Sequence, residues 1–328
     1  MYVKHFKFLV CPKCKSLMNL NVGYSEGENI IAGDMFCKRC SKSYPILNGI
    51  PMFIGNTHYS DSFGLEWNIH SRTQYDSYCK KNISYERFFN ETKWDKNLTG
   101  QLIIEAGSGS GRFTEQALKT NAMVISFDSS SAVIANYNSN GKHENLLIVQ
   151  TSISEMPFRD KIADKLFCFG VLQHTLQPEL SFKLLAEKIK AGGEMVADVY
   201  KLNVFTILKS KYWIRPFIKR VNKKKLYKLC HFYVDTIWNI TKLNKKLFPR
   251  NIAKQINWQM LVPDYSEYNL DENILKEWAY LDMFDMLSPA YDKPQTIRTF
   301  RIWFKKYGFS KVDIKYGYNG IEGKGIKV

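Results

Sequence analysis

No uninterrupted apolar segment of this 328-residue chain approaches the ~18–20 residues that cross a bilayer, so no membrane-spanning helix is expected. The opening stretch, MYVKHFKFLVCPKC, has too short an apolar part for a secretory signal. Acidic residues are scarce: 31 Asp and Glu stand against 47 Lys and Arg, a formal charge of +16. They are almost missing from Lys201–Lys254, where fifteen Lys or Arg accompany one acid, Asp235, for a local charge of +14. The remainder of the chain is close to neutral. A P-loop pattern, GxxxxGK[ST], is absent. The third glycine of a dinucleotide fingerprint is also missing, because Arg112 stands there. Of seven cysteines, four fall in two CxxC pairs. That usage points to a reducing compartment and metal binding, not a disulfide scaffold.

What is present begins with Glu105-Ala-Gly-Ser-Gly-Ser-Gly-Arg-Phe113. The apolar run 101–105 reads as a buried strand, the glycines as a turn at its carboxyl end, and 112–120 as a helix. Glycine has no Cβ, so such a turn can bring its backbone against a ligand. A second apolar run ends at Asp128, whose carboxylate can accept hydrogen bonds from a ribose diol. The alternation continues with helix 130–139, strands 146–150 and 163–169, helix 178–191 and strand 194–199. Parallel strands at this spacing need crossovers, and ligands of such sheets bind beyond the strands' carboxyl ends. Gly107, Gly109, Gly111, Asp128, Ser152 and Gly170 all fall there. Near the carboxyl terminus, 296–307 reads as a helix and 311–315 as a closing strand.

Cys11-Pro-Lys-Cys14 and Cys37-Lys-Arg-Cys40 can fold into two knuckles around one tetrahedral ion. Four thiolates suit zinc, and a site filled by protein leaves no position for chemistry, so a structural role is expected. Between 201 and 254, Leu226, Leu229, Tyr233, Ile237, Ile240, Leu243 and Leu247 recur at three- and four-residue intervals and predict an amphipathic helix with lysines on its other face. Tyr212–Arg220 mixes large apolar and cationic side chains. That mixture suits a lid over an acceptor site, and also an anionic bilayer.

The glycine-rich turn, with Glu105 as its acidic residue, resembles motif I of the class I S-adenosylmethionine-dependent methyltransferases. Ser152-Ile153 with Met156-Pro157-Phe158, the stretch Asp164–Thr175, and Ala191-Gly192-Gly193 are similar to later family segments. Residues 8–54 resemble zinc ribbons that accompany or activate methyltransferases. The resemblance implies an α/β fold: a doubly wound, mostly parallel seven-stranded sheet with a small amino-terminal zinc ribbon and a basic helical insertion. The expected division is 1–55 ribbon, 56–200 methyltransferase core with a helical cap, 201–262 insertion or lid, and 263–328 the rest of the core. S-adenosylmethionine and structural zinc are the implied cofactors. Glu105, Gly107, Ser108, Gly109, Gly111, Arg112, Asp128, Ser129, Ser152, Ile153, Phe169 and Gly170 are the implied cofactor-binding residues. His174 is the candidate general base, because imidazole accepts a proton near neutral pH. Tyr200 is a second catalytic candidate. Trp67, His174, Tyr200, Tyr291 and Asp292 are the expected substrate contacts.

The main functional reading is methyl transfer to oxygen of a small metabolite or sugar-bearing intermediate. An RNA base methyltransferase and a non-catalytic cofactor-binding scaffold are the alternatives, with RNA the second partner class. The expected location is the cytoplasm, with peripheral contact to the inner face of an anionic membrane.

Overall fold

The computed structural model describes residues 1–54, 60–206 and 208–328; the division expected at 55/56 lies outside them. The amino-terminal module is an antiparallel sheet of β1 (Asn19–Glu26), β2 (Asn29–Cys37), β3 (Lys42–Leu47) and β4 (Ile50–Pro51), in that order. Cys11 and Cys14 precede β1, while Cys37 ends β2 and Cys40 follows it. Lys15 and Ser41, the residues after each pair, take left-handed backbone (φ 57° and 53°). The two knuckles are therefore built alike.

The cap helices are α1 (Asp61–Ile69), α2 (Asp76–Cys79) and α3 (Ile83–Thr92). The core then runs β5 (Leu102–Ala106), α4 (Arg112–Leu118), β6 (Met123–Asp128), α5 (Ala132–Asn140), β7 (Leu146–Gln150), β8 (Ala163–Cys168), α6 (Pro178–Ala186) and β9 (Ile189–Val199). β5 to β9 pair in parallel. Covered on both faces, they read as near-continuous apolar runs. Every residue of β5 is buried. Strand order places β5 between β6 and β8, so the crevice at the sheet's reversal opens between the turns after β5 and β8.

The sheet closes with α11 (Ile297–Lys306), β10 (Phe309–Gly317) and β11 (Gly320–Lys327), in the order β10-β11-β9-β8-β5-β6-β7. β11 lies antiparallel between β9 and β10. The sequence reading missed β11, because GIEGKGIK has the low strand propensity of a glycine-rich loop. Its glycines make room for aromatics: a Cβ on Gly323 would lie 2.6 Å from Phe304 Cε2. The helix expected over 178–191 stops at Ala186, since Ala191-Gly192-Gly193 lies inside β9. There the pairing with β8 slips between Ala163 and Lys165.

Between β9 and α11 sits a helical insert of α7 (Ser210–Ile218), α8 (Lys223–Leu247), α9 (Arg250–Gln259) and α10 (Glu272–Leu287). The Asn222 side chain caps α8 by accepting from Lys224 N and Lys225 N. Leu226, Cys230, Val234, Ile237 and Trp238 of α8 pack with Ala279, Met283, Phe284 and Leu287 of α10. The helical unit thus extends through Leu287, beyond the expected limit at 262. The apolar row expected on α8 divides: Leu226 and Ile237 are buried, whereas Leu229, Ile240, Leu243 and Leu247 are exposed. Two apolar rows run side by side on this helix, and only contact with α10 selects the inner one. Among the described residues, no helix is long and apolar enough to cross a membrane.

Candidate functional site

The carboxyl ends of the parallel strands, the cap and the insert enclose one cavity of about 1830 Å³. At the turn after β5, Gly107 adopts φ +78°, and a Cβ there would come within 2.2 Å of Val171 Cγ2. Only glycine lets the two turns that flank the crevice meet this closely. Asp128, at the end of β6, ties the turn down: Gly109 N donates to Oδ2 (3.0 Å), while Ser130 N and Oγ donate to Oδ1 (2.8 and 2.7 Å). Burial raises the Asp128 pKa, opposed by those hydrogen bonds.

Gly107, Ser108, Gly109, Arg112, Asp128, Ser129, Ser152, Ile153, Phe169 and Gly170 all line the cavity; Gly111 and Glu105 do not. Glu105 is 2% exposed and sits beneath the turn, accepting hydrogen bonds from Thr114 Oγ1 and from Ser126 Oγ (2.7 Å). Its geometry is that of a brace for β5, α4 and β6. Burial pushes its pKa up to about 7. A raised carboxyl stabilises the fold fully below the ordinary glutamate value and loses that contribution as pH rises through about 7. Glu105→Gln, always neutral, should therefore remove an unfolding free-energy slope on the order of 3 kcal/mol between acid and mildly alkaline pH. Denaturant melts of parent and variant across that range check this, and parallel curves would refute it.

Arg112 presents a guanidinium that no hydrogen bond or ion pair joins to any described residue. It lies 4.4 Å from the Phe113 ring centroid, and burial lowers its pKa to about 10. A half-buried cation without an ion-pair partner beside a glycine turn, across from a carboxylate at the neighbouring strand end, fits a nucleoside that carries a free amino-acid carboxylate. S-adenosylmethionine has both parts.

His174, Tyr200 and Tyr291 also line the cavity, as does Trp67, whose indole lies against the glycine turn: a Cβ on Gly109 would come within 3.2 Å of it. His174 Nδ1 lies 2.9 Å from the Tyr291 carbonyl oxygen. A carbonyl only accepts, so Nδ1 carries the proton and Nε2 is left as the acceptor nitrogen. The ring is held by Tyr200 (centroids 5.3 Å, 88°) and Phe63 (5.3 Å, 59°). Tyr200 Oη donates to Asp285 Oδ2 at 3.2 Å. Burial, then Asp285, raise its pKa well above the usual tyrosine value, so it acts as a neutral donor. Asp292 does not line the cavity; it pairs with buried Lys211 at 2.7 Å and anchors α7.

Sequence reasoning missed Arg87, Tyr265, Asp282 and Asp285, which also line the cavity. Burial pushes the Asp282 pKa up to about 7, and Tyr265 Oη donates to it. Arg87, Tyr265 and Asp282 come from α3 and the insert and form no local motif that could have revealed them.

The four cysteine sulfurs lie within 4.8 Å of one another. Cys11–Cys40 and Cys14–Cys37 are 3.4 Å apart and Cys14–Cys40 3.9 Å. A tetrahedral zinc–thiolate site has sulfur–sulfur edges of about 3.8 Å, so the set fits zinc. Tyr44 Oη sits 3.6 Å from Cys11 Sγ as an outer partner. Among the described residues this is the single cluster suited to a metal.

Residues 104–197 match the family described as Methyltransferase domain. The tRNA U34 carboxymethyltransferase of Helicobacter hepaticus is 29% identical over 33% of this chain and 38% of its own length. That of Nautilia profundicola is 27% identical over 38% of this chain and 40% of its own. The chain thus spans about two fifths of these curated relatives. Among solved structures, a complex containing the Haloferax volcanii Trm112 methyltransferase activator aligns at 12% identity and TM-score 0.45, over 81% of this chain and 97% of that chain. Human N-acetylserotonin methyltransferase with its bound donor aligns at 13% and 0.39, over 81% and 54%. Neither structural likeness is close enough to bear on activity. The domain match and the sheet order converge: this chain has the class I S-adenosylmethionine-dependent methyltransferase fold, with a four-cysteine module suited to structural zinc at its front.

Proposed function

We propose that the chain transfers a methyl group from S-adenosylmethionine to an acceptor held beneath the helical insert. The observation that carries this is one cavity lined both by Asp128 and the unpaired Arg112 and by the oriented imidazole of His174. When bound, the donor supplies a methyl group activated by its sulfonium. Asp128 accepts from the ribose hydroxyls, Arg112 and the Gly107–Gly109 backbone hold the amino-acid end, and Ser129, Ser152 and Ile153 line the base. Glu105 and Gly111 shape the turn from behind. Phe169 and Gly170 wall the crevice. His174 Nε2 takes the acceptor proton, while Tyr200 and Asp285 orient the acceptor and Trp67 and Tyr291 flank it. Alignment of this kind lowers a barrier by roughly 7–11 kcal/mol when geometry is good.

Asp128→Ala should weaken binding of S-adenosylhomocysteine about 100-fold by calorimetry, the loss of one or two hydrogen bonds to a charged group. Asp128→Asn, which keeps an oxygen acceptor, should lose less. Unchanged affinity in both would end the donor assignment.

The names of both curated relatives support an RNA nucleotide as acceptor. Lys201 and Lys209 on the cavity wall support the same reading. A small metabolite or sugar-bearing intermediate is the second reading, favoured by the roof of insert helices and by the half-buried Asp282 and Tyr200 on the cavity wall, groups suited to hydroxyls. Labelled donor incubated with separated RNA, lipid-glycan and metabolite fractions decides between them. Label in RNA alone would retire the small-molecule reading, and label in metabolites alone the RNA reading. Donor uptake with no labelled fraction would leave a donor-binding scaffold.

A further inference from the structure

α7 is inside out. Its cationic residues Lys211 and Arg215 are each 7% exposed, while Trp213 and Phe217 are 64% and 81% exposed. The orientation is firmly held. Lys211 pairs with Asp292, and Arg215 donates to the carbonyls of Met286 and Pro289 at 2.9 and 2.8 Å. Rolling α7 to bury its apolar side would strip partners from two buried charges, a large penalty. The apolar surface continues upstream in Val204, Phe205 and Leu208, all well exposed. It continues downstream in the outer row of α8: Leu229, Phe232, Ile240, Leu243 and Leu247. Exposed apolar surface of this extent marks an interaction site.

We infer that residues 204–206 and 208–228 dock on the surface of an anionic lipid bilayer. The charge around them selects that occupant. Lys219, Arg220, Lys224, Lys225 and Lys228 are exposed, and among the described residues no ion pair joins them to a carboxylate. Lysine and arginine beside exposed Trp, Phe, Ile and Leu is the composition of an interfacial anchor: apolar side chains enter the headgroup–acyl boundary while cations meet anionic lipid. A second copy of the chain fits poorly, because pairing these faces would bring two segments of +14 together. RNA could meet the cations and the faces of Trp213 and Phe217, but it would leave the aliphatic part of the surface, Val204, Leu208 and Ile214, in water, whereas a bilayer covers both. No described helix can span the bilayer, so docking is to the surface. Phe205, Leu208 and Tyr212 also line the cavity, so docking would set its mouth against the lipid headgroups. This inference is independent of which acceptor class is correct.

The test is flotation of the full, metal-loaded chain with vesicles of phosphatidylcholine alone or mixed with phosphatidylglycerol. Partition should be at least about tenfold stronger on the anionic vesicles and weaken with salt. Trp213→Ser with Phe217→Ser should reduce it about tenfold or more, and Lys224→Glu with Lys225→Glu likewise. Both variants should keep the parent's S-adenosylhomocysteine affinity. No partition, equal partition on both vesicles, or partition indifferent to the Trp213 and Phe217 changes would overturn the inference. So would a dimer in solution, or RNA retention, that disappears in the same double variant while vesicle binding is absent. If the double variant fails to fold, a polarity-sensitive fluorophore on Phe217→Cys should shift to the blue on anionic vesicles; an unchanged spectrum overturns the inference equally.

Discussion

Replacing Cys37 by serine, or stripping the metal with a strong chelator, should unfold the amino-terminal module and carry much of the remaining chain with it. Structural zinc contributes about 10–16 kcal/mol to the folding of small modules, against a total stability of about 5–15 kcal/mol for a whole domain. The effect should not stay local, because the module is not a separate bead. Val10 N donates to Pro157 O at 2.8 Å and Phe53 N to Gln150 O at 2.9 Å. Leu9 and Met52 form bridges to Phe158 and Gln150. Ile30, Met35, Cys37 and Ile46 share one buried cluster with Phe127, Val149 and Phe158 of the core. Loss of the metal therefore uncovers the β7 edge of the large sheet. The parent should contain about one zinc per chain by elemental analysis. The serine variant should contain none and should melt well below the parent, with hydrogen exchange accelerated in β7 as well as in β1–β4. A zinc-free variant with the parent's melting temperature would show that the thiolates do not carry the module.

Replacing His174 by alanine should lower kcat by about 10²–10⁴, the usual weight of a positioned general base. Affinity for S-adenosylhomocysteine should stay within a few-fold of the parent. The reasoning rests on orientation: the Tyr291 carbonyl holds the proton on Nδ1, and the Tyr200 and Phe63 rings fix the plane. His174→Gln can restore a donor to that carbonyl without restoring a ring nitrogen, so it should recover stability but not rate. Equal loss of donor affinity and rate, or full activity in either variant, would remove His174 from the chemistry and leave it as a packing residue. Tyr200→Phe should show a milder defect, seen mainly in KM for the acceptor, since its hydroxyl donates to Asp285 and stays neutral.

The parts of this protein that sequence alone made legible are those whose meaning is local. The glycine turn, the strand before it and Asp128 after the next apolar run read correctly as a crevice at strand ends. Backbone freedom, strand periodicity and a terminal carboxylate are all encoded within a few residues of one another. The four cysteines read as one cluster because paired knuckles declare themselves by spacing, and their sulfurs do lie together. What tertiary structure alone decided is which side of an ambiguous element faces inward, and which distant groups share a site. On α8 two apolar rows have equal claim by periodicity, and packing on α10 buries the one containing Cys230 and Val234. On α7 two buried cations override the apolar pattern, because an unpaired interior charge costs more than exposed Trp213 and Phe217. Glu105 moved beneath the turn it was expected to serve, and Asp292 moved to the base of α7. Asp282 entered the cavity from a stretch of α10 that carries no motif. Each of those outcomes depends on partners far away in the chain, and hydrophobic periodicity and motif spacing do not report them.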